Sequence, residues 1–280
     1  MTTIIDGRKL SQEILAEVKK EVARLSFTPV FCDVLVGRDP ASAQYVRMKA
    51  KAAESLGMKF HSANFRETIS QESLVEEIKK LKAVPGICGV IVQLPLPEKF
   101  KDRQAILDAV PESLDVDCLS TPASRKFYEG KNEIGFPTAL ACLALLDSLN
   151  LPLRGKKIAV LGQGDLVGRP VAALLQFRGL NPDIVRSKTE NKEKIIKEAD
   201  VIISGMGKGK FITGEMIKKG AVLIDAGTSE SSGGIVGDVN LESVQGVAGF
   251  VSPVPGGVGP VTVAMLLHNV LKVAKQKLHE

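Results

Sequence analysis

Tyr45 and Lys49 stand four residues apart, a spacing that puts both on one side of a helix. Ala52 and Leu56 continue the same face at i+7 and i+11 from Tyr45, so it is semi-apolar yet carries a lysine and one of only two tyrosines in the chain. Burial disfavours the charged form of a lysine, and an uncharged amine can take up or relay a proton at neutral pH. The plainer reading is a surface lysine beside an ordinary tyrosine, and this stretch alone does not separate the two. A second chemical signal is Gly162-Gln163-Gly164 followed by Gly168. The last spacing is one longer than in G-x-G-x-x-G. The stretch nevertheless leaves a strand pattern and opens a helix pattern, where backbone N–H groups and a helix N-terminus can hold a pyrophosphate. A tightly packed turn is the alternative. Sites for NAD place an acid at the end of the second strand, but here the sequence is Arg186-Ser187-Lys188-Thr189. Basic and hydroxyl groups suit a 2′-phosphate, so NADP is the expected cofactor, with NAD as the other option.

These residues need elements to hold them. Asp39 is a good N-cap and Pro40 suits the first helical position, so the Tyr45–Lys49 helix should begin there and stop at Gly57. Ahead of it the pattern predicts a helix from Ser11 to Leu25 and a buried strand from Val30 to Val36. After it come a weak strand at 59–65, a helix capped by Ser70, and an apolar strand at 89–92 that stops at Gln93-Leu94-Pro95-Leu96-Pro97. Residues 111–138 are irregular, broken by Pro111, Pro122, Gly130 and Pro137, and read as a domain junction. The second half restarts with strands at 156–161, 183–185, 201–203 and 222–224 alternating with helices, a Rossmann-like series. A bend-prone Pro253–Pro260 loop precedes a closing helix from Val261. Strands separated by helices imply parallel sheets with right-handed crossovers.

The 280 residues suit two domains. The chain is 44% hydrophobic and 25% charged, as in ordinary globular proteins. Its net charge of +5 is spread without a basic block and Trp is absent, which argues against nucleic acid as a partner. No apolar run is long enough to span a bilayer and the N-terminus does not read as a signal peptide, so no membrane partner and a cytoplasmic location are expected. Cys32, Cys88, Cys118 and Cys142 form no C-x-x-C pair and are expected as reduced thiols. His61, His268 and His279 make no ligand cluster, so no metal is expected.

Several motifs fall in a specific order: Val36-Gly37-Arg38-Asp39-Pro40-Ala41-Ser42 with Tyr45 and Lys49; Val90 to Pro97; Asp115-Val116-Asp117; Val236-Gly237-Asp238-Val239; and Pro253 to Pro260 before Thr262-Val263-Ala264. Over nearly its whole length the chain resembles the bifunctional methylenetetrahydrofolate dehydrogenase/cyclohydrolase family. That resemblance implies a two-domain α/β homodimer with folate in the cleft between domains. An N-terminal α/β folate/catalytic domain (1–137) would be completed by a C-terminal helix (261–280) packing back on it. A Rossmann-like NAD(P)-binding domain would span 138–260. By the same resemblance Lys49 is the key catalytic residue, Tyr45 positions the folate rings, Gln93 contacts Lys49, and Asp117 anchors the pterin. Pro255, Gly256 and Gly257 would line the folate site, and Gly162, Gln163, Gly164, Arg186, Ser187, Lys188 and Thr228 the cofactor site.

The implied chemistry suits the residue types. Hydride removal from 5,10-methylenetetrahydrofolate leaves a methenyl cation, beside which a protonated lysine would be repelled. A neutral Lys49 could activate water to give 10-formyltetrahydrofolate. Gln93 can bond an amine without adding charge, and Asp117 can accept paired N–H bonds from an amino-pyrimidine edge. The family pattern has a lysine before Asp-Val-Asp and a glycine after it, where this chain has Leu114 and Cys118. Three other readings stand beside this one. Tyr-x-x-x-Lys is also the short-chain dehydrogenase pair, but there it follows the glycine loop and here it precedes it. The chain could be a cyclohydrolase with weak or lost dehydrogenase activity, or a folate- or nucleotide-binding protein without turnover.

Overall fold

The computed structural model of the protein describes residues 1–231 and 234–278. In chain order its elements are β1 (Thr3–Ile4), α1 (Gly7–Val22), β2 (Val30–Val36), α2 (Pro40–Ser55), β3 (Lys59–Phe65), α3 (Gln71–Lys80), β4 (Ile87–Val92), α4 (Arg103–Leu107), α5 (Thr121–Tyr128), α6 (Pro137–Asp147), β5 (Ile158–Leu161), α7 (Gly168–Phe177), β6 (Asp183–Val185), α8 (Lys192–Glu198), β7 (Val201–Ser204), β8 (Val222–Asp225), β9 (Ser229–Ser231), β10 (Gly234–Val236), α9 (Leu241–Val244), β11 (Phe250–Val251) and α10 (Val258–Gln276). They form two compact units. One comprises Glu13–Pro137 and the chain from Leu266 onward; the other comprises Met1–Gln12 and Thr138–Met265.

The first unit is built on a three-stranded parallel sheet in the order β3-β2-β4. Apart from half-buried Leu35, β2 and β4 are buried throughout and read as near-continuous apolar runs, as parallel strands covered on both faces must. The last part of α10 packs back on this unit. Asn269 Nδ2 donates to Val116 O at 2.9 Å and to Gly135 O at 2.7 Å, tying that helix to the segments beyond β4. Gly89 in β4 lets the helix approach, because a Cβ there would lie 2.9 Å from Val270.

The second unit is a six-stranded parallel sheet in the order β1-β11-β8-β7-β5-β6. The chain leaves β5 for β6 on one side and then crosses to β7 on the other. The C-terminal end of β5 is therefore the topological switch point, where open α/β sheets bind ligands.

The structure departs from the sequence reading in identifiable places. Helix α1 begins at Gly7 rather than Ser11: Asp6 Oδ1 accepts from Lys9 N at 3.0 Å, while the Ser11 hydroxyl donates to Pro260 O at 2.9 Å. The sequence places residues 1–12 with the first domain, but β1 pairs with β11 and adds an edge strand to the six-stranded sheet. Two residues carry no periodicity from which that could be read. The closing helix starts at Val258, its residues to Met265 group with the six-stranded sheet, and positions 279 and 280 of the expected span lie outside the described residues. The irregular 111–138 segment contains helix α5. Pro122 sits in its first turn and Ser120 caps it, so the proline starts a helix instead of breaking one.

Candidate active site

Helix α2 carries the first group of residues. Asp39 Oδ2 accepts from Ser42 N at 2.7 Å and Pro40 occupies the first turn, fixing where the helix begins. The helix buries Ser42, Val46, Lys49 and Ala53 toward the sheet. Lys49 is only 2% exposed. Its Nζ donates to Gln93 Oε1 at 2.7 Å and lies 5.2 Å from the centroid of the Tyr45 ring. Gln93 follows β4 directly. Its N–H donates to Val34 O at 2.9 Å, which extends the ladder by one residue and fixes the base of its side chain. Its Nε2 donates to Leu94 O, leaving Oε1 turned to the lysine.

Asp117 lies in a turn held by a second, fully hydrogen-bonded acid. Asp115 is buried and accepts from Asp117 N at 3.2 Å and Ser120 N at 2.7 Å. Cys118 then takes φ +62, a left-handed conformation that favours glycine. Loss of water pushes the Asp117 carboxyl up to about 7; Lys49 opposes this, and Asp115 and Asp33 reinforce it. Desolvation likewise pushes the Tyr45 phenol up to about 12, with smaller contributions from Asp117 and Asp33. Tyr45 remains 37% exposed, so its ring can offer a face to a ligand.

Sequence reasoning missed Asp33. It sits in the middle of β2, fully buried, with Oδ2 2.5 Å from Lys49 Nζ. Burial raises its carboxyl above the usual range and Lys49 opposes the rise. The signal was present as one acid inside the run Val-Phe-Cys-Asp-Val-Leu-Val, but the run was read for its apolar content alone. The sequence reading therefore expected an uncharged amine against a glutamine, whereas the structure places that amine between a glutamine and a carboxyl group.

In the other unit, Gly162 ends β5 with φ +91, and a Cβ there would lie 2.7 Å from Gly205 O. A Cβ on Gly168 would meet Gly162 O at 2.1 Å, whereas Gly164 has open space around it. Two of the three glycines are thus required by backbone packing, and the third keeps the loop surface bare. Gln163 Nε2 folds onto Gly162 O at 2.7 Å. No side chain caps α7, which begins at the switch point, and its Arg169 N–H donates to Gly164 O at 3.3 Å. Beyond β6, Arg186, Ser187 and Lys188 are exposed, and the Arg186 N–H donates to Thr189 Oγ1 at 2.8 Å. Thr228 is exposed after β8. The adjoining loops are anchored by buried acids. Asp238 accepts from Ser204 Oγ, Met206 N and Lys208 N at 2.6, 2.8 and 2.6 Å, and Asp225 from Gly227 N, Asp238 N and Val239 N at 3.0, 3.0 and 2.8 Å. Burial pushes Asp225 up to about 6. An uncapped helix end with basic and hydroxyl groups past the second strand fits a dinucleotide bearing a 2′-phosphate.

Pro255, Gly256 and Gly257 also belong to this unit. Gly256 takes φ +107, the Gly257 N–H closes a turn onto Pro253 O at 2.7 Å, and a Cβ on Gly7 would lie 1.9 Å from Gly257 O. The structure thus gathers Tyr45, Lys49, Gln93 and Asp117 in one unit, and the cofactor-loop and Pro-Gly-Gly residues in the other. All four cysteines are buried and free, and no group of side chains that could hold a metal occurs among the described residues.

Residues 5–117 match the family model described as tetrahydrofolate dehydrogenase/cyclohydrolase, catalytic domain, and residues 137–278 the model described as its NAD(P)-binding domain. Among curated relatives, the bifunctional protein FolD of Nitratiruptor sp. is 40% identical over 278 residues, covering 98% of each chain. Among solved structures, the bifunctional FolD enzyme of Campylobacter jejuni aligns with TM-score 0.93 at 35% identity over 99% of this chain and 100% of that one. The Trypanosoma brucei FolD, described as complexed with NADP cofactor and inhibitor, aligns with TM-score 0.92 at 34% identity over 100% and 99%.

Proposed function

The chain belongs to the tetrahydrofolate dehydrogenase/cyclohydrolase family, and from that premise we propose how its residues divide the work. It is a bifunctional enzyme of folate one-carbon metabolism. It oxidises 5,10-methylenetetrahydrofolate to the 5,10-methenyl form with NADP and hydrolyses that product to 10-formyltetrahydrofolate.

The observation that carries the assignment of roles is the buried Lys49 amine bonded to Gln93 at 2.7 Å beside the half-open Tyr45 ring. Tyr45 stacks on the folate ring system and Asp117 accepts N–H bonds from its amino-pyrimidine edge. Gln93 holds the Lys49 amine toward the one-carbon bridge. In the hydrolytic step water adds to the methenyl carbon, and Lys49 receives the proton it loses. The Gly162-Gln163-Gly164 loop and the start of α7 hold the cofactor pyrophosphate; Arg186, Ser187 and Lys188 hold its 2′-phosphate; and Thr228 contacts its nicotinamide end. When bound, NADP accepts the hydride. The domain division follows the same roles, with a catalytic domain over residues 13–137 completed by the chain from Leu266, and a cofactor domain over 138–265 completed by residues 1–12.

A homodimer is supported by the family resemblance and is tested by light scattering of the purified chain. A cytoplasmic location is supported by four buried, unpaired thiols; among the described residues, no helix is long and apolar enough to cross a membrane. The central experiment adds methylenetetrahydrofolate and NADP and follows methenyl absorbance. Both activities give a rise and then a decay. Decay of added methenyl without any rise would reduce the protein to a cyclohydrolase, and neither change would leave a binding protein.

A further inference from the structure

Besides Asp33, three acids are buried among the described residues, and all are well bonded. Asp115, Asp225 and Asp238 each accept two or three hydrogen bonds, chiefly from backbone N–H groups, and each fixes a loop. Asp33 differs. It lies in a regular strand with no loop to fix, and among the described residues no hydrogen bond from any group other than Lys49 reaches its carboxyl oxygens. The Lys49 Nζ lies 2.5 Å from its Oδ2. A buried ion pair seldom adds stability over an apolar side chain of similar size, so packing does not explain an acid at this position. The chemistry of Lys49 does.

We propose that Asp33 is a positioning residue for the cyclohydrolase step, sharing one proton with Lys49 so that the pair is electrically neutral whichever group holds it. This deepens the reading of Lys49 given above and rests on it. The methenyl substrate is a cation, and a neutral pair does not repel it. When water adds to the methenyl carbon, the new C–O bond forms and one O–H bond breaks. The released proton enters the pair through Lys49, while the positive charge leaves the folate. The pair then carries the charge that the substrate has lost, and the step moves charge without creating it. The proton is given back as the C–N5 bond opens and N5 is protonated; loss of the hydroxyl proton as the formyl C=O forms completes the balance of one proton released per turnover. The titratable groups acting on this pair are Tyr45 from α2 and Asp117 from the turn after Asp115, with Cys32 adjacent on β2.

The test is Asp33→Asn in the full-length protein, measuring methenyl hydrolysis against pH, with NADP-dependent oxidation and thermal unfolding alongside. With the carboxyl gone, the amine must surrender its own proton before it can take one from water. The acid limb of the kcat profile is then expected to move up by at least about one pH unit, with kcat at neutral pH down at least about tenfold and KM within about twofold. Asp117 titrates nearby, so the quantity read is the displacement between wild type and variant. A purely structural Asp33 would change Tm and leave the limb in place, and that result overturns the proposal. Should Asp33→Asn fail to fold, Asp33→Val supplies the same comparison with an apolar side chain native to such strands. Wild-type protein without methenyl hydrolysis would overturn the functional reading itself, whereas active wild type with an unmoved limb in the variants overturns only the role of Asp33.

Discussion

Replacing Lys49 by methionine keeps most of the side chain and removes its amine. Cyclohydrolase turnover is expected to fall about 10²- to 10⁴-fold, the usual range for a general acid–base group. The same change leaves Asp33 buried without its partner, and breaking such a pair costs about 3–5 kcal/mol. Because burial already raises the Asp33 carboxyl, the loss should be smaller at pH 5 than at pH 8, where the carboxylate must be ionised; melting curves at the two values check this. Asp117 gives a second pH-dependent case. Its carboxyl is pushed up to about 7 in the folded protein, against about 3.9 in an unfolded chain. Folding therefore favours its protonated form, and the stability it contributes is present below about pH 4 and lost as pH rises through 7. Asp117→Asn should melt higher than wild type at pH 8 and no higher at pH 4, while its KM for folate rises at least about tenfold. Arg186→Ala should raise KM for NADP by about tenfold and leave that for NAD nearly unchanged.

At the scale of elements, the glycine loop separates positions that look equivalent in sequence. A Cβ on Gly168 would lie 2.1 Å from Gly162 O, but one on Gly164 meets nothing within 4 Å. Gly168→Ala should abolish NADP-dependent oxidation and spare methenyl hydrolysis, whereas Gly164→Ala should stay within about threefold of wild type in both. Periodicity and caps made β2, α2 and α3 legible, because Asp39 and Ser70 cap their own helices in the sequence and in the structure. What escaped had no local signature. Strand β1 is two residues long and exists through its pairing with β11, about 250 positions away. Pro122 was read by its dominant habit of breaking helices, although Ser120 before it marked a start. Asp33 was hidden by its neighbours. A buried acid is informative only once its partner is known, and that partner is contributed by another element.

Across the whole molecule, the residues proposed for proton transfer and those proposed for the cofactor fall in different compact units. Substitutions among the cofactor residues should therefore lower oxidation and spare methenyl hydrolysis. The N-terminus belongs to this account. Thr3 N and Ile5 N donate to Gly249 O and Val251 O at 2.9 Å each, and Thr2 Oγ1 donates to Ala248 O at 2.8 Å. Deleting residues 1–5 is expected to lower Tm and raise KM for NADP, because the sheet loses an edge strand and exposes β11. The pairing of β1 with β11, and of Asn269 with the carbonyls of Val116 and Gly135, also bears on synthesis. The six-stranded sheet waits for Phe250–Val251, and the β3-β2-β4 sheet, whose strands are complete by Val92, waits for α10 to cover it. The nascent chain must wait with apolar strands uncovered, so a chain cut short within α10 should yield aggregate instead of a working half-enzyme.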